Sequence, residues 1–187
     1  MSPLKIKKGS TSHSAYELRD PNAEIIERHT LACIVDNEAG VLARVIGLFA
    51  GRGYNIESLT VSEIDHESHR SRLTVVTTGT PAVIDQIKAQ LGRIVPVHEV
   101  HDLTVDGPSV ERELSLFKVR GTGEKRVESM RLADIFRANV VDSTLESFVF
   151  EITGTPEKID AFSELMRPLG LVEVARTGVA ALSRGAG

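Results

Sequence analysis

The chain has 187 residues, of which 41% are apolar, 26% charged and 4% aromatic, with no tryptophan and a formal net charge of −4. That length holds one core or two small ones, the acidic balance offers nucleic acid no electrostatic footing, and so few aromatics rule against a base-stacking platform. No signal-type segment and no run of eighteen apolar residues occurs, which gives the expectation of a cytoplasmic protein, or a stromal one in a plastid.

Residues 1–28 are polar, with Lys5 to Ser14 nearly free of core formers, and are expected to form a mobile arm in which Tyr16 to Glu27 can turn helical on a partner. A strand near 30–35 follows and contains the single cysteine, Cys33, which has no partner for an internal disulfide and reads as a small core residue. Next comes Asp36-Asn-Glu-Ala-Gly-Val-Leu-Ala-Arg-Val-Ile-Gly-Leu-Phe49. Val41, Leu42, Val45, Ile46, Leu48 and Phe49 recur at the helical period, predicting a helix near 41–51 with a broad apolar face, stopped by Gly51 and Gly53. Asn37 stands where a side-chain amide can cap the helix or bind a ligand, and Gly40 permits close approach or a positive φ. Free amides at such a helix start can hold a small anion. These residues alone fit an ordinary strand-to-helix turn equally well.

Strands are expected near 54–64, with a bulge, and near 69–78, where Leu73-Thr-Val-Val-Thr77 alternates cleanly. A helix near 81–91 and a strand near 94–104 complete a first βαββαβ unit, and Asp106-Gly-Pro-Ser109 marks the join to a second. The second unit has strands near 113–120, 139–145, 147–154 and 171–182, with helices near 124–137 and 156–167. An internal repeat links the two, since Thr78-Gly-Thr-Pro-Ala-Val-Ile-Asp85 recurs as Thr153-Gly-Thr-Pro-Glu-Lys-Ile-Asp160. Thr80 and Thr155 are natural N-caps, Pro81 and Pro156 suit the first helical position, and Ile84, Ile87, Leu91 and Ile159, Phe162, Met166 supply the buried stripes.

Other motifs carry less. Gly121-Thr-Gly123 has Arg126 where the dinucleotide fingerprint needs glycine. His98 and His101, three apart on a strand, point to opposite faces and make no metal pair, and His66, Glu67 and His69 fall in a hairpin loop. Arg112 reads as surface pairing with Glu111 and Glu113, a subunit contact remaining open. No nucleophile-and-base arrangement stands out.

The stretch from Asp36 to Val45 and the run Arg52-Gly-Tyr-Asn-Ile-Glu-Ser-Leu59 resemble the ACT domain of the regulatory small subunit of acetolactate synthase, also called acetohydroxyacid synthase. Ser71 to Thr74, Val110 to Leu114 and Glu173 to Gly185 are similar to the same family, so the resemblance spans about residues 30 to 185. It implies an α+β fold of two ferredoxin-like βαββαβ units: an ACT domain at 29–105 for effector binding and dimerisation, and a C-terminal ferredoxin-like domain at 110–185. It implies a non-catalytic subunit that binds a branched-chain amino acid, valine first, stimulates the catalytic large subunit and confers feedback inhibition. No cofactor is expected on this chain; thiamine diphosphate, Mg2+ and FAD are expected on the catalytic subunit.

The resemblance also implies a site between two ACT domains of a homodimer or higher oligomer. Asn37, Gly40, Val41 and Leu42 form the turn side, and Asn55 and Ile56 of the other chain the opposing side. Amides of 40 to 42 suit the α-carboxylate, Asn37 or Asn55 can accept from the ammonium, and Ile56 with Leu42 can enclose the side chain. Val41 stands where some relatives have a small residue, which narrows the pocket. The rival reading is a free-standing amino-acid sensor of the same fold acting on another partner or, further off, a small enzyme on the ferredoxin-like sheet.

Overall fold

The computed structural model describes residues 25–185, so the expected arm lies outside the described residues as far as position 24. The first unit runs β1 (Glu27–Asp36), α1 (Val41–Arg52), β2 (Ser58–Asp65), β3 (Arg70–Gly79), α2 (Pro81–Leu91) and β4 (Val97–Asp102), with an antiparallel sheet in the order β2-β3-β1-β4. β1 begins earlier than expected because Glu27, Arg28 and His29 pair with Gly79, Thr78 and Thr77. β2 begins later. After Gly53, left-handed at φ 69°, the chain is held irregular by two hydrogen bonds to β3, from the Thr77 hydroxyl to the Asn55 carbonyl at 2.6 Å and from the Glu57 amide to the Val76 carbonyl at 2.8 Å. The expected bulge falls between Glu63 and Asp65.

Both helices of this unit lie on one face of the sheet, where Val41, Val45 and Phe49 of α1 and Ile84, Ile87 and Leu91 of α2 meet Leu31, Cys33 and Val35 of β1 and Leu73 and Val75 of β3. The apolar face of α1 is narrower than its spacing predicts. Only the i, i+4, i+8 row turns fully to the sheet, leaving Leu42 and Ile46 37% and 41% exposed. Burial pushes the Cys33 thiol up to about 12, against a weaker pull from Arg72.

The second unit runs β5 (Ser109–Arg120), α3 (Glu124–Phe136), β6 (Asn139–Ser143), β7 (Ser147–Gly154), α4 (Pro156–Gly170), β8 (Leu171–Arg176) and β9 (Ala180–Ser183), in the order β6-β7-β5-β8 with β9 also on β5. Phe162 of α4 meets Phe117 and Phe150 of the sheet edge-to-face, at 5.0 and 6.1 Å between ring centroids, the arrangement that ring quadrupoles favour. The repeat holds at its helix starts: Thr80 and Thr155 have nearly identical extended backbones, and each hydroxyl accepts a hydrogen bond from the third helical amide, with proline entering at the first turn.

The strand expected at 171–182 is two strands. β8 pairs with Ser115–Val119 of β5, whereas β9 pairs with Ser109–Arg112, and Thr177 to Val179 carries the chain between them with Gly178 at φ +84°. This break lets β9 and the start of β5 leave their own sheet and cover the helix-free face of the first, where Val179 and Ala181 pack on Ala32, Val76 and Leu103. β1 and β3 are therefore covered on both sides. Leu73 to Thr77 alternates in direction as its spacing predicts, yet every residue of it is buried.

Candidate functional site

The turn from Asn37 to Gly40 joins β1 to α1 and is clamped by its neighbours. The Asn37 amide donates to the His69 carbonyl at 2.6 Å, the Glu38 amide to the Asp36 carbonyl at 2.9 Å, and His98 Nε2 lies 2.6 Å from an Asp36 carboxylate oxygen. The cap of α1 is Gly40, left-handed at φ +92°, with no side-chain hydrogen bond to the helix amides. Those amides carry the positive end of the helix and have no intrahelical acceptor. Glu38, the nearest carboxylate in sequence, is engaged by Arg44 at 3.2 Å, which blunts its repulsion of an incoming anion.

At this turn one of the two roles open to each of Asn37 and Gly40 falls away. Asn37 does not cap the helix, because it sits three positions before the cap; it is exposed, and among the described residues its side chain makes no hydrogen bond. A Cβ built on Gly40 meets nothing within 4 Å, so the positive φ, not close packing, is what the position demands in this chain. Val41 is also repositioned, since its side chain is 7% exposed within the first core, and its amide donates a long bond of 3.4 Å to the Glu38 carbonyl.

Leu42 and Asn55 are exposed, while Ile56 is half-buried and packs on the first core. The turn side and the Asn55–Ile56 side each present groups to solvent, and none of the six residues lines the cavity of about 560 Å3 between the two units.

That cavity reveals residues the sequence does not single out. Arg28 of β1 reaches Glu111 of β5 at 3.2 Å and Glu57 at 3.6 Å, and Thr30 also donates to Glu111. Arg176 at the end of β8 bridges the buried Glu113 and, at 2.6 Å, Asp160 of α4. Burial opposes the Arg176 charge, but the bonds to Glu113 and Asp160 more than offset it and raise its pKa. The expected pairing of Arg112 with Glu111 and Glu113 does not form, because β-strand alternation turns both glutamates inward to Arg28 and Arg176. Ser58 and Thr60 of β2 bind the backbone of Val179, with the Val179 amide donating to the Ser58 hydroxyl and the Thr60 hydroxyl donating to the Val179 carbonyl, both at 2.9 Å. The strand that follows Asn55 and Ile56 is thereby fastened to the link between β8 and β9.

Among the described residues no cluster of three His, Cys, Asp or Glu side chains is placed to hold a metal, and no helix is long and apolar enough to cross a membrane. His101 pairs with Glu99 and His66 with Glu63, both at the surface.

Residues 31–99 match the family model described as the AHAS small subunit-like ACT domain, and residues 112–185 that described as the small subunit of acetolactate synthase. A probable acetolactate synthase small subunit of Archaeoglobus fulgidus is 46% identical over 158 residues, covering 84% of this chain and 98% of that one. The small subunit of acetolactate synthase isozyme 3 of Escherichia coli is 45% identical over 159 residues, covering 84% and 96%. The crystal structure of the acetolactate synthase small subunit from Thermotoga maritima superposes with a TM-score of 0.77 at 36% identity, covering 86% of this chain and 99% of that one.

Proposed function

The chain belongs to the acetolactate synthase small-subunit family, the non-catalytic regulatory subunits of that synthase in branched-chain amino acid biosynthesis, and from this premise we propose that it binds a branched-chain amino acid, valine first, and confers feedback inhibition. A small subunit associates with a catalytic large subunit. In the proposed scheme this chain also stimulates that partner, which carries the thiamine diphosphate, Mg2+ and FAD, and the pair works in the cytoplasm.

The observation that carries the reading is the uncapped start of α1 at Gly40, beside the uncommitted side chain of Asn37. Helix amides at positions 40 to 42 receive the α-carboxylate, Asn37 of this side or Asn55 of the facing chain accepts from the ammonium, and Leu42 supplies apolar surface for the branched side chain. A half-site of this kind needs a second copy. The edge strand β2, exposed from Val61 to Asp65, is the natural place for two first units to join, which gives the 29–105 segment both dimerisation and effector binding. The 110–185 segment takes the larger share of the contact with the catalytic subunit.

Calorimetry of the full chain against valine, leucine and isoleucine, followed by reconstitution with the catalytic subunit, tests this reading. Binding of at least one of the three together with effector-dependent loss of synthase activity is the expected result. No heat with any of them, from a protein that still stimulates the synthase, overturns the effector assignment.

A further inference from the structure

On the helix-free face of the first sheet, between β2 and β9, lies a cavity of about 400 Å3, a volume that suits a small ligand. Arg72 of β3 and Arg112 of β5 both line it. The Arg72 guanidinium donates one bond at 3.0 Å to the Ala181 carbonyl, while its Nε is buried without a partner. Arg112 binds the carbonyl of its own neighbour Glu111 at 2.7 Å. Among the described residues no carboxylate pairs with either arginine, and the lining holds no acidic residue. Ser62 and Thr74 add hydroxyls, and Ile64 and Leu182, both more than half exposed, add apolar walls.

The partly buried Arg72, with its Nε unpartnered and no counter-charge, is costly, and the exposed Arg112 on the same cavity adds a second positive charge, so the cavity favours an anion. We propose that this cavity binds a small monocarboxylate with an apolar body and no positive charge, the class of short branched fatty acids and 2-oxo acids. The arginines pair with the carboxylate, the hydroxyls of Ser62 and Thr74 are within the same cavity for a 2-oxo group, and Ile64 and Leu182 enclose the hydrocarbon. An α-amino acid is rejected, because its ammonium would meet two guanidinium groups and no acid to balance it. This site is separate from the turn at Gly40 and needs no residue of it. Joining of two copies along the hydrogen-bonding edge of β2 leaves the face open.

The test is calorimetry of the full chain with 3-methylbutanoate and 3-methyl-2-oxobutanoate, valine serving as the competitor. At least one of the two acids is expected to bind with an affinity that saturating valine leaves unchanged. Arg112→Ala should weaken that binding about tenfold or more, and Leu182→Asp, which sets a carboxylate at the cavity wall, should abolish it, while Asn37→Ala leaves it intact. Both substituted positions are exposed, so thermal melting near that of the parent certifies the fold. Tighter binding of the oxo acid by tenfold assigns the 2-oxo acid class, and equal binding assigns plain carboxylates. Absence of heat from both acids at about 10 mM, unchanged affinity in both cavity variants, or displacement by valine overturns the proposal.

Discussion

Ser58 and Val179, 121 positions apart in the chain, are joined by a hydrogen bond from the Val179 amide to the Ser58 hydroxyl at 2.9 Å. Ser58 lies two residues beyond Ile56, so this bond ties the stretch that holds the proposed opposing side to the residue just before β9. A Cβ on Gly178 would sit 2.6 Å from that same hydroxyl and 3.0 Å from Thr60 Cγ2, in a backbone conformation at φ +84° that resists side chains. We expect Gly178→Ala to cost about 1–3 kcal/mol and Ser58→Ala about 0.5–1.5 kcal/mol. The double variant should lose less than the sum, because removing the hydroxyl removes part of the clash. Denaturant melts of the four proteins measure this, and strict additivity would show that the two positions do not meet.

At the turn, Asn37→Ala should raise the dissociation constant for valine roughly ten- to a hundredfold, the loss of one charge-assisted hydrogen bond of about 1.5–3 kcal/mol. Gly40→Asp should do at least as much, by straining the φ +92° backbone and by setting a second carboxylate beside that of the ligand. Both variants should still stimulate the catalytic subunit yet resist feedback inhibition. An inhibition curve that stays in place for folded, partner-binding variants moves the effector site elsewhere.

Small-angle scattering at micromolar concentration with valine present should give at least a dimer, because the half-site and the edge of β2 each need a second copy. A monomer under those conditions removes the site as drawn.

Cys33, with its thiol pushed up to about 12 by burial, should be almost inert to thiol reagents in the native protein near pH 8. Its labelling rate should follow global unfolding in a denaturant series, and fast native labelling would show that β1 opens locally.

The Glu157 carboxyl, in the first turn of α4, is held below its ordinary range first by its own backbone amide and next by the Thr155 hydroxyl. A depressed folded-state pKa stabilises the protein above the unfolded value of 4.5, and that contribution fades as pH falls through the folded value. Glu157→Gln should therefore lose that contribution at neutral pH and converge with the parent as pH falls through the folded value, so that its acid limb is flatter, as thermal melts from pH 3 to 7 would record.

Local signals made the two repeats legible. Threonine followed by proline caps and starts a helix through contacts within four residues, so α2 and α4 and their buried stripes are found from sequence alone. Long-range contacts escaped that reading. Nothing near Gly178 in the chain announces that β9 will desert its sheet for the surface of Ala32 and Val76, and the glutamates beside Arg112 find their cations on β1 and β8. At the candidate site the glycine turn was readable from its residue types, whereas the roles of Asn37, Val41 and Leu42 depended on where helix α1 starts and which row of it meets the sheet.

The first sheet is closed by a strand that the ribosome makes after every other described element. Until Val179 and Ala181 emerge, Ala32, Val76 and Leu103 lack the residues that pack on them, and nascent first units hold sticky faces that can find one another. A stop codon before Val179 would thus be read out far upstream, at Ala32 and Val76, as a misassembled amino-terminal unit and not as a missing tail.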